Sequence, residues 1–325
     1  MTDELYRDVR CPHTVELPVL GLRVRFSTNA PELLDVVERC YGSWRAIADS
    51  PELVSDSPAE VRLVLHDAPR ADAAAPDVGY RLPDPTRLIV FTHSSLGIAD
   101  TDQLQSTVYV HASLAARQDL LVESVIEPMT LFLLGALDRQ PIHGTAIARG
   151  GVALVLAGPS GVGKTTLTYA AGQCGFTPLG DEPVYVQMKP TLRIWCRSAP
   201  IRLVPEAREH FPELAELEPT QLSNGKSKIL IDAGDAAQRH ADHIGICLLA
   251  KEERGAPTLE RLTPSEVSEH VLSRPEQGYD LYSATLEQRI RAVAERGAWR
   301  LNVAGRPQDA MPFIDEIFDE LERAR

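Results

Sequence analysis

Two apolar spacings alternate along the chain. Residues 22–26, LRVRF, place apolar side chains at every second position, the period of a half-buried strand. A helix follows. Asn29 is in position to cap it, Pro31 suits its first turn, and Leu33, Leu34, Val37 and Tyr41 recur at helical spacing. Further strands are predicted at 61–65, 88–91 and 106–110. The stretch 67–87, rich in Pro, Ala and Asp, reads as a loop between them. Apolar residues then run at helical spacing from Ala112 to about Leu137. Beyond Ile142 the pattern changes. Short, continuous apolar runs at 152–157, 184–188, 192–196, 229–231 and 244–249 read as buried strands, with a helix over 164–174 closed by Gly175. Thr263–Glu266 and Thr285–Gln288 are capping-box patterns, the second opening a helix that ends at Gly297. An amphipathic helix over 307–325 comes last. The pattern predicts an α+β domain over 1–140 and an α/β nucleotide-binding domain over 141–325.

Charge and cysteine usage narrow the function classes. The 325 residues carry a formal net charge of −13, which repels nucleic acid and anionic lipid, so neither is expected as a partner. No apolar run approaches the roughly 20 residues that span a bilayer, and MTDELYRDVR at the start lacks a signal-peptide core. The five cysteines have no paired spacing. Together these features predict a cytoplasmic protein with reduced, mostly buried thiols.

The strongest chemical signal is Gly158-Pro-Ser160-Gly161-Val162-Gly163-Lys164-Thr165-Thr166, which fits G-x-x-x-x-G-K-[ST] in full. Such a loop turns successive backbone N–H groups toward phosphate oxygens, and its glycines allow the positive φ that this requires. Lys164 would place a charge on the β- and γ-phosphates, and the Thr165 hydroxyl would ligate Mg²⁺. An apolar strand before the loop and a helix after it supply the required context. ATP and Mg²⁺ are therefore the expected ligands.

The residues beyond this loop decide what is done with the phosphate. No guanine-reading N-K-x-D element is present. The run 244–253, IGICLLAKEE, is a poor match to a strand ending directly in a metal-binding acid, because Ala250 and Lys251 intervene. Asp181 and Glu182, at the mouth of the strand after the loop's helix, are the better pair. One acid could hold the metal while the other takes a proton from an attacking hydroxyl; the plainer alternative is a solvated Gly-Asp turn. Lys226 and Lys228 alternate along a strand and share a face. They could meet the γ-phosphate or the substrate, or simply blunt an edge. Arg197 and Arg202 have weaker claims, as surface residues.

Segment 141–186 resembles the catalytic core of the HPr kinase/phosphorylase family, through His143-Gly144, the loop 158–165, Gly175 and the Asp181-Glu182 pair in order. That resemblance implies a phosphoenolpyruvate carboxykinase-like P-loop core. It implies Asp181 as base toward a serine hydroxyl, Glu182 as a holder of Mg²⁺, and His143 near the reacting phosphate. A packed, hydrogen-bonded histidine is the alternative for His143. Glu182 stands where the family has a second Asp. The family's characteristic segment after the acids is not evident, which argues against phosphorylase activity and against HPr as acceptor. The resemblance further implies an ATP-dependent kinase acting on Ser of a peptide or protein. A nucleotide-dependent peptide-binding module and a small-molecule kinase are the alternatives. Family enzymes can be homo-oligomers.

Overall fold

The computed structural model describes residues 9–47, 58–67, 78–197, 200–222, 225–232, 239–252, 255–273 and 283–325. The chain forms two compact units, Met1–Leu137 and Asp138–Arg325. It is a mixed α/β protein with several sheets.

The first unit is built on a seven-stranded sheet of β1 (His13–Val19), β2 (Leu22–Thr28), β3 (Ala59–His66), β4 (Gly79–Asp84), β5 (Arg87–Phe91), β6 (Leu96–Asp100) and β7 (Gln105–His111). Its order is β1-β2-β3-β7-β6-β5-β4, with β2, β3 and β7 parallel and the other pairs antiparallel. Helix α1 (Pro31–Tyr41) connects β2 to β3 and buries Leu33, Val36, Val37 and Tyr41. Asn29 does not cap it. The N-cap position is Ala30, and the Asn29 amide instead accepts from the Leu65 N–H at 2.8 Å and donates to the Leu65 carbonyl at 2.9 Å. A side-chain amide can copy a strand's donor–acceptor pair, and here that use outcompetes capping.

Two other expectations for this unit are corrected. The segment 67–87 is not all loop, because Gly79–Asp84 pairs with β5; residues 68–77 lie outside the described residues. The helix expected over 112–137 is broken into α2 (Ala112–Ala115), α3 (Gln118–Leu121), a π-turn at Val122–Ile126 and α4 (Glu127–Ala136). Pro128 has no N–H to give Ser124, and the Ser124 carbonyl accepts from the Tyr80 hydroxyl at 2.7 Å instead.

Among the described residues, the second unit contains three sheets. Its strands are β8 (Gln140–Ile142), β9 (Gly144–Arg149), β10 (Val152–Ala157), β11 (Thr177–Gly180), β12 (Val184–Gln187), β13 (Arg193–Cys196), β14 (Ile201–Leu203), β15 (Thr220–Gln221), β16 (Ser227–Ile231), β17 (His240–Ala241), β18 (His243–Lys251), β19 (Thr258–Arg261) and β20 (Ala298–Val303). The sheet orders are β11-β9-β10-β18-β20-β19, β17-β13-β12-β8 and β14-β16-β15. Strands β10, β18 and β20 run parallel. Every residue of β10 is buried, as expected of a parallel strand covered on both faces. Its period of two divides it between two cores. Val152, Leu154 and Leu156 pack with Leu167, Ala170 and Ala171 of α5 (Lys164–Gln173), and with Ile314, Ile317 and Phe318 from the last helix. Ala153, Val155 and Ala157 pack on the other side with Val267 of α6 (Pro264–Leu272) and with Ile290 and Val293 of α7 (Ser283–Ala294). That last helix is α8 (Met311–Arg323), preceded by a 3₁₀ turn at Pro307–Ala310.

The Thr263 capping box forms in full: the Glu266 N–H donates to Thr263 Oγ1 at 3.3 Å, and the Thr263 N–H donates to Glu266 Oε2 at 2.7 Å. The second expected box does not form. Thr285 lies inside α7, and its hydroxyl donates to Gln140 Oε1 at 2.6 Å. The cysteines form no disulfide, but only Cys196 and Cys247 are buried, so the expectation of mostly buried thiols is too broad.

Candidate active site

Backbone register brings three separated segments together before any side chain is considered. His143 is the single residue between β8 and β9, where the chain passes from the four-stranded to the six-stranded sheet. Asp181–Pro183 makes the reverse passage, between β11 and β12. The flanking strands pair on both sides of these passages: Gly180 with Ala146 in one sheet, Val184 with Ile142 in the other. The two passages must therefore lie side by side. Strand β9 also pairs with β10, placing Gly144 opposite Ala157, the last residue before the glycine-rich loop. His143, the acid pair and the loop meet at one end of the sheet.

The loop runs from the end of β10 to the start of α5, with φ of 148°, 81° and 105° at Gly158, Gly161 and Gly163. A Cβ at Gly158 would stand 2.8 Å from the Leu249 carbonyl oxygen of β18, so both space and conformation demand glycine there. At Gly161 and Gly163 nothing lies within 4 Å of where a Cβ would be. There the demand is conformational, and the open side belongs to the cavity described next.

That cavity, about 350 Å³, is lined by Ser160, Gly161, Gly163, Lys164, Thr165, Thr166, Asp181 and Glu182, and opposite them by Arg202, Val204, Leu222, Lys226 and Lys228. Of the loop residues expected to hold nucleotide, Gly158 packs on β18 and Val162 turns its side chain into the core; neither lines the cavity. Lys226 and Lys228 do line it. Residues 198–199 and 223–224, next to this wall in sequence, lie outside the described residues.

Polar contacts divide the site in two. Buried Lys164 Nζ donates to the carbonyls of Gly158 at 2.9 Å and Pro159 at 3.3 Å, lies 2.7 Å from His143 Nε2, and pairs with Glu182 Oε1 at 3.0 Å. His143 Nε2 is also 3.0 Å from Glu182 Oε1. On the other side, the Thr165 hydroxyl donates to Asp181 Oδ1 at 3.1 Å and the Arg202 backbone N–H donates to Asp181 Oδ2 at 3.0 Å. Arg202, whose side chain reads from sequence as a surface residue, thus fixes the acid through its backbone. No sequence signal announces that contact, because a backbone donor can belong to any residue.

The two acids titrate in opposite directions. Burial pushes the Asp181 carboxyl up and outweighs the hydrogen bonds from Arg202, Glu182 and Thr165 that favour its charged form. Burial also raises Glu182, but the contact with His143 and the charge of Lys164 more than offset it, leaving that carboxyl below its usual value. Neighbouring carboxyls are thus moved to opposite sides of the ordinary carboxylate range. Among the described residues no group of three or more His, Cys, Asp and Glu could hold a metal ion. The oxygen donors present (Thr165, Asp181 and Glu182) suit a hard cation such as Mg²⁺, which commonly takes one or two carboxylates with substrate phosphates completing its shell.

No helix among the described residues is long and apolar enough to cross a membrane. No family model matches the chain and no curated protein matches it. Among solved structures, the Hpr(Ser) kinase/phosphatase from Coxiella burnetii is a distant neighbour, with 11% sequence identity and a TM-score of 0.30, over 57% of this chain and 97% of that one.

Proposed function

We propose that the chain is an ATP- and Mg²⁺-dependent kinase that transfers the γ-phosphoryl group to a hydroxyl, with Ser of a peptide or protein as acceptor. The observation that carries this reading is the meeting of Lys164, Thr165, Asp181 and Glu182 at one open, glycine-lined cavity, with His143 against Lys164 and Glu182. The loop amides and Lys164 would hold the triphosphate, and Thr165 with Glu182 would hold Mg²⁺. Bound there, the ion would neutralise charge on the phosphates. Asp181, with its raised affinity for protons, takes the acceptor's hydroxyl proton as that oxygen bonds to the γ-phosphorus and the bond to the β-phosphate oxygen breaks, releasing ADP. Glu182 and Lys164 hold His143 beside the loop, where it would steady the Lys164 ammonium that faces the phosphates.

Two substitutions test the assignment. Lys164→Ala removes the cavity's buried cation and is expected to abolish transfer. Asp181→Asn keeps the shape and loses the base, so nucleotide should still bind, measured by titration calorimetry, while transfer of labelled phosphate stops. Normal transfer by Asp181→Asn would exclude Asp181 as base. Tight ATP binding by the wild type with no labelled product from a cell extract would favour a binding module instead.

A further inference from the structure

The cavity wall facing the loop carries a chemistry the proposed reaction leaves unused. Strands β14 and β16 are antiparallel, with Arg202 opposite Leu230 and Leu203 opposite Ile229. One face of this small sheet buries Ile201, Leu203 and Ile229 in the core. Strand alternation then puts Arg202, Val204, Lys228 and Leu230 together on the opposite face. Val204 is 41% exposed and Leu230 37%, so this face presents aliphatic surface between cations. Lys226 adds a further positive charge at the cavity.

The charge distribution is unusual for this molecule. The chain carries −13 overall, yet the residues lining the cavity include four cations and two acids. Of those cations Lys164 already faces Glu182, and both acids lie on the loop side. The described residues lining the opposite wall are three cations (Arg202, Lys226 and Lys228) and two aliphatic side chains, in a chain that is acidic overall. A wall of this kind raises the local concentration of anions that also carry an apolar group. Its position beside Asp181, through the Arg202 backbone, puts it where an acceptor must lie.

We infer that the acceptor is an acidic peptide segment whose Ser is flanked by carboxylate and aliphatic side chains, laid over the outer face of β14 and β16. This rests on the kinase reading above and adds a sequence preference to it. The full-length protein is tested with ATP, Mg²⁺ and three synthetic decapeptides, each with one Ser and two Leu, and with flanks of Glu, Asn or Lys. The Glu peptide is expected to exceed the Lys peptide at least tenfold in kcat/KM, with a preference that shrinks as salt rises. Lys228→Glu should erase or invert that preference, with the loss falling on KM for the Glu peptide rather than on the Kd for ATP. Lys226→Glu provides a second charge reversal should Lys228→Glu fold poorly, and the salt series needs no variant. Transfer to all three peptides at similar rates overturns the inference and leaves the kinase standing. Charge reversals that weaken ATP binding as much as peptide KM also overturn it, by assigning the cations to the nucleotide. ATP binding with no transfer to any of the peptides sinks the peptide-kinase reading itself.

Discussion

Gly180→Ala tests whether the residue before the acid pair is glycine for lack of space or merely because it sits in a turn. Gly180 is not among the residues with positive φ, so backbone conformation does not require glycine. Space does. A Cβ there would collide with the Arg197 carbonyl oxygen, well inside the 3.0 Å that real Cβ atoms keep, and would lie 3.1 Å from Cys196 Cβ. The obstacle is main chain, so no side-chain rotation relieves it. Restoring a normal contact of about 3.5 Å needs a backbone shift on the order of 1 Å at β11 or at the end of β13. Overpacking of this kind costs about 1–3 kcal/mol, and the stiffer unfolded chain returns roughly 0.4–1 kcal/mol. The net expectation is a loss of about 1.3 kcal/mol at the middle of these ranges and up to about 2.6 kcal/mol, read by urea unfolding, with Tm falling by about 2–4 °C for each kcal/mol. The shift also passes to Asp181, the next residue. Misplacing a reacting group by about 1 Å can cost on the order of a hundredfold in rate, so phosphoryl transfer should fall far more than ATP affinity. A solvated Gly-Asp turn predicts the opposite: Ala neutral or slightly stabilising. Stability within about 0.5 kcal/mol of wild type, with transfer intact, would refute the close-approach argument.

Two further perturbations read different parts of the unit. Because Asp181 binds its proton more tightly when folded than in the open chain, its share of stability is full below the ordinary carboxylate pKa and is lost as pH rises through the higher folded value. Asp181→Asn should therefore gain stability relative to wild type between about pH 4 and pH 7, measured by urea unfolding at both; a difference that is flat or shrinks with pH would refute the burial argument. Thr263→Ala removes the acceptor for the Glu266 N–H and should cost about 1 kcal/mol with ATP affinity unchanged, which paired denaturation and calorimetry would check.

What was legible in the sequence follows from how local each cause is. The run 152–157 could be read as a parallel strand because every position is apolar, and the glycines after it could be read because their φ requirement is written into residue type. The Thr263 box forms because all its partners lie within four residues. Asn29 and Thr285 depart from the capping roles their residue types predict, for the converse reason. Each has the residue type of a cap, but its partner is remote in sequence: Leu65 for the first and Gln140 for the second. The break in 112–137 is hidden because a continuous apolar pattern serves three short helices as well as one long one. Nothing local separates strands β8, β9 and β11 from their surroundings, and of the cavity's far wall the sequence shows only two alternating lysines, because Arg202 joins them through the pairing of β14 with β16.

The site owes its existence to pairing register more than to any one motif. A strand–loop–helix with the right glycines can form in isolation; Lys164 gains its carboxylate and imidazole only because two chain passages between sheets fall next to each other. Those passages are held in step by β9 with β11 and by β8 with β12. A slip of one residue in either pair would turn the local side chains to the opposite face, separating His143 from Glu182 while leaving the glycine-rich loop intact. The two acids are consequently set apart by connections rather than by residue type. Asp181 is tied to Thr165 and the β14 backbone in a buried corner, and Glu182 to Lys164 and His143. Here burial moves the Asp181 carboxyl up while its contacts move the Glu182 carboxyl down, an asymmetry that the proposed transfer of a hydroxyl proton to Asp181 would use.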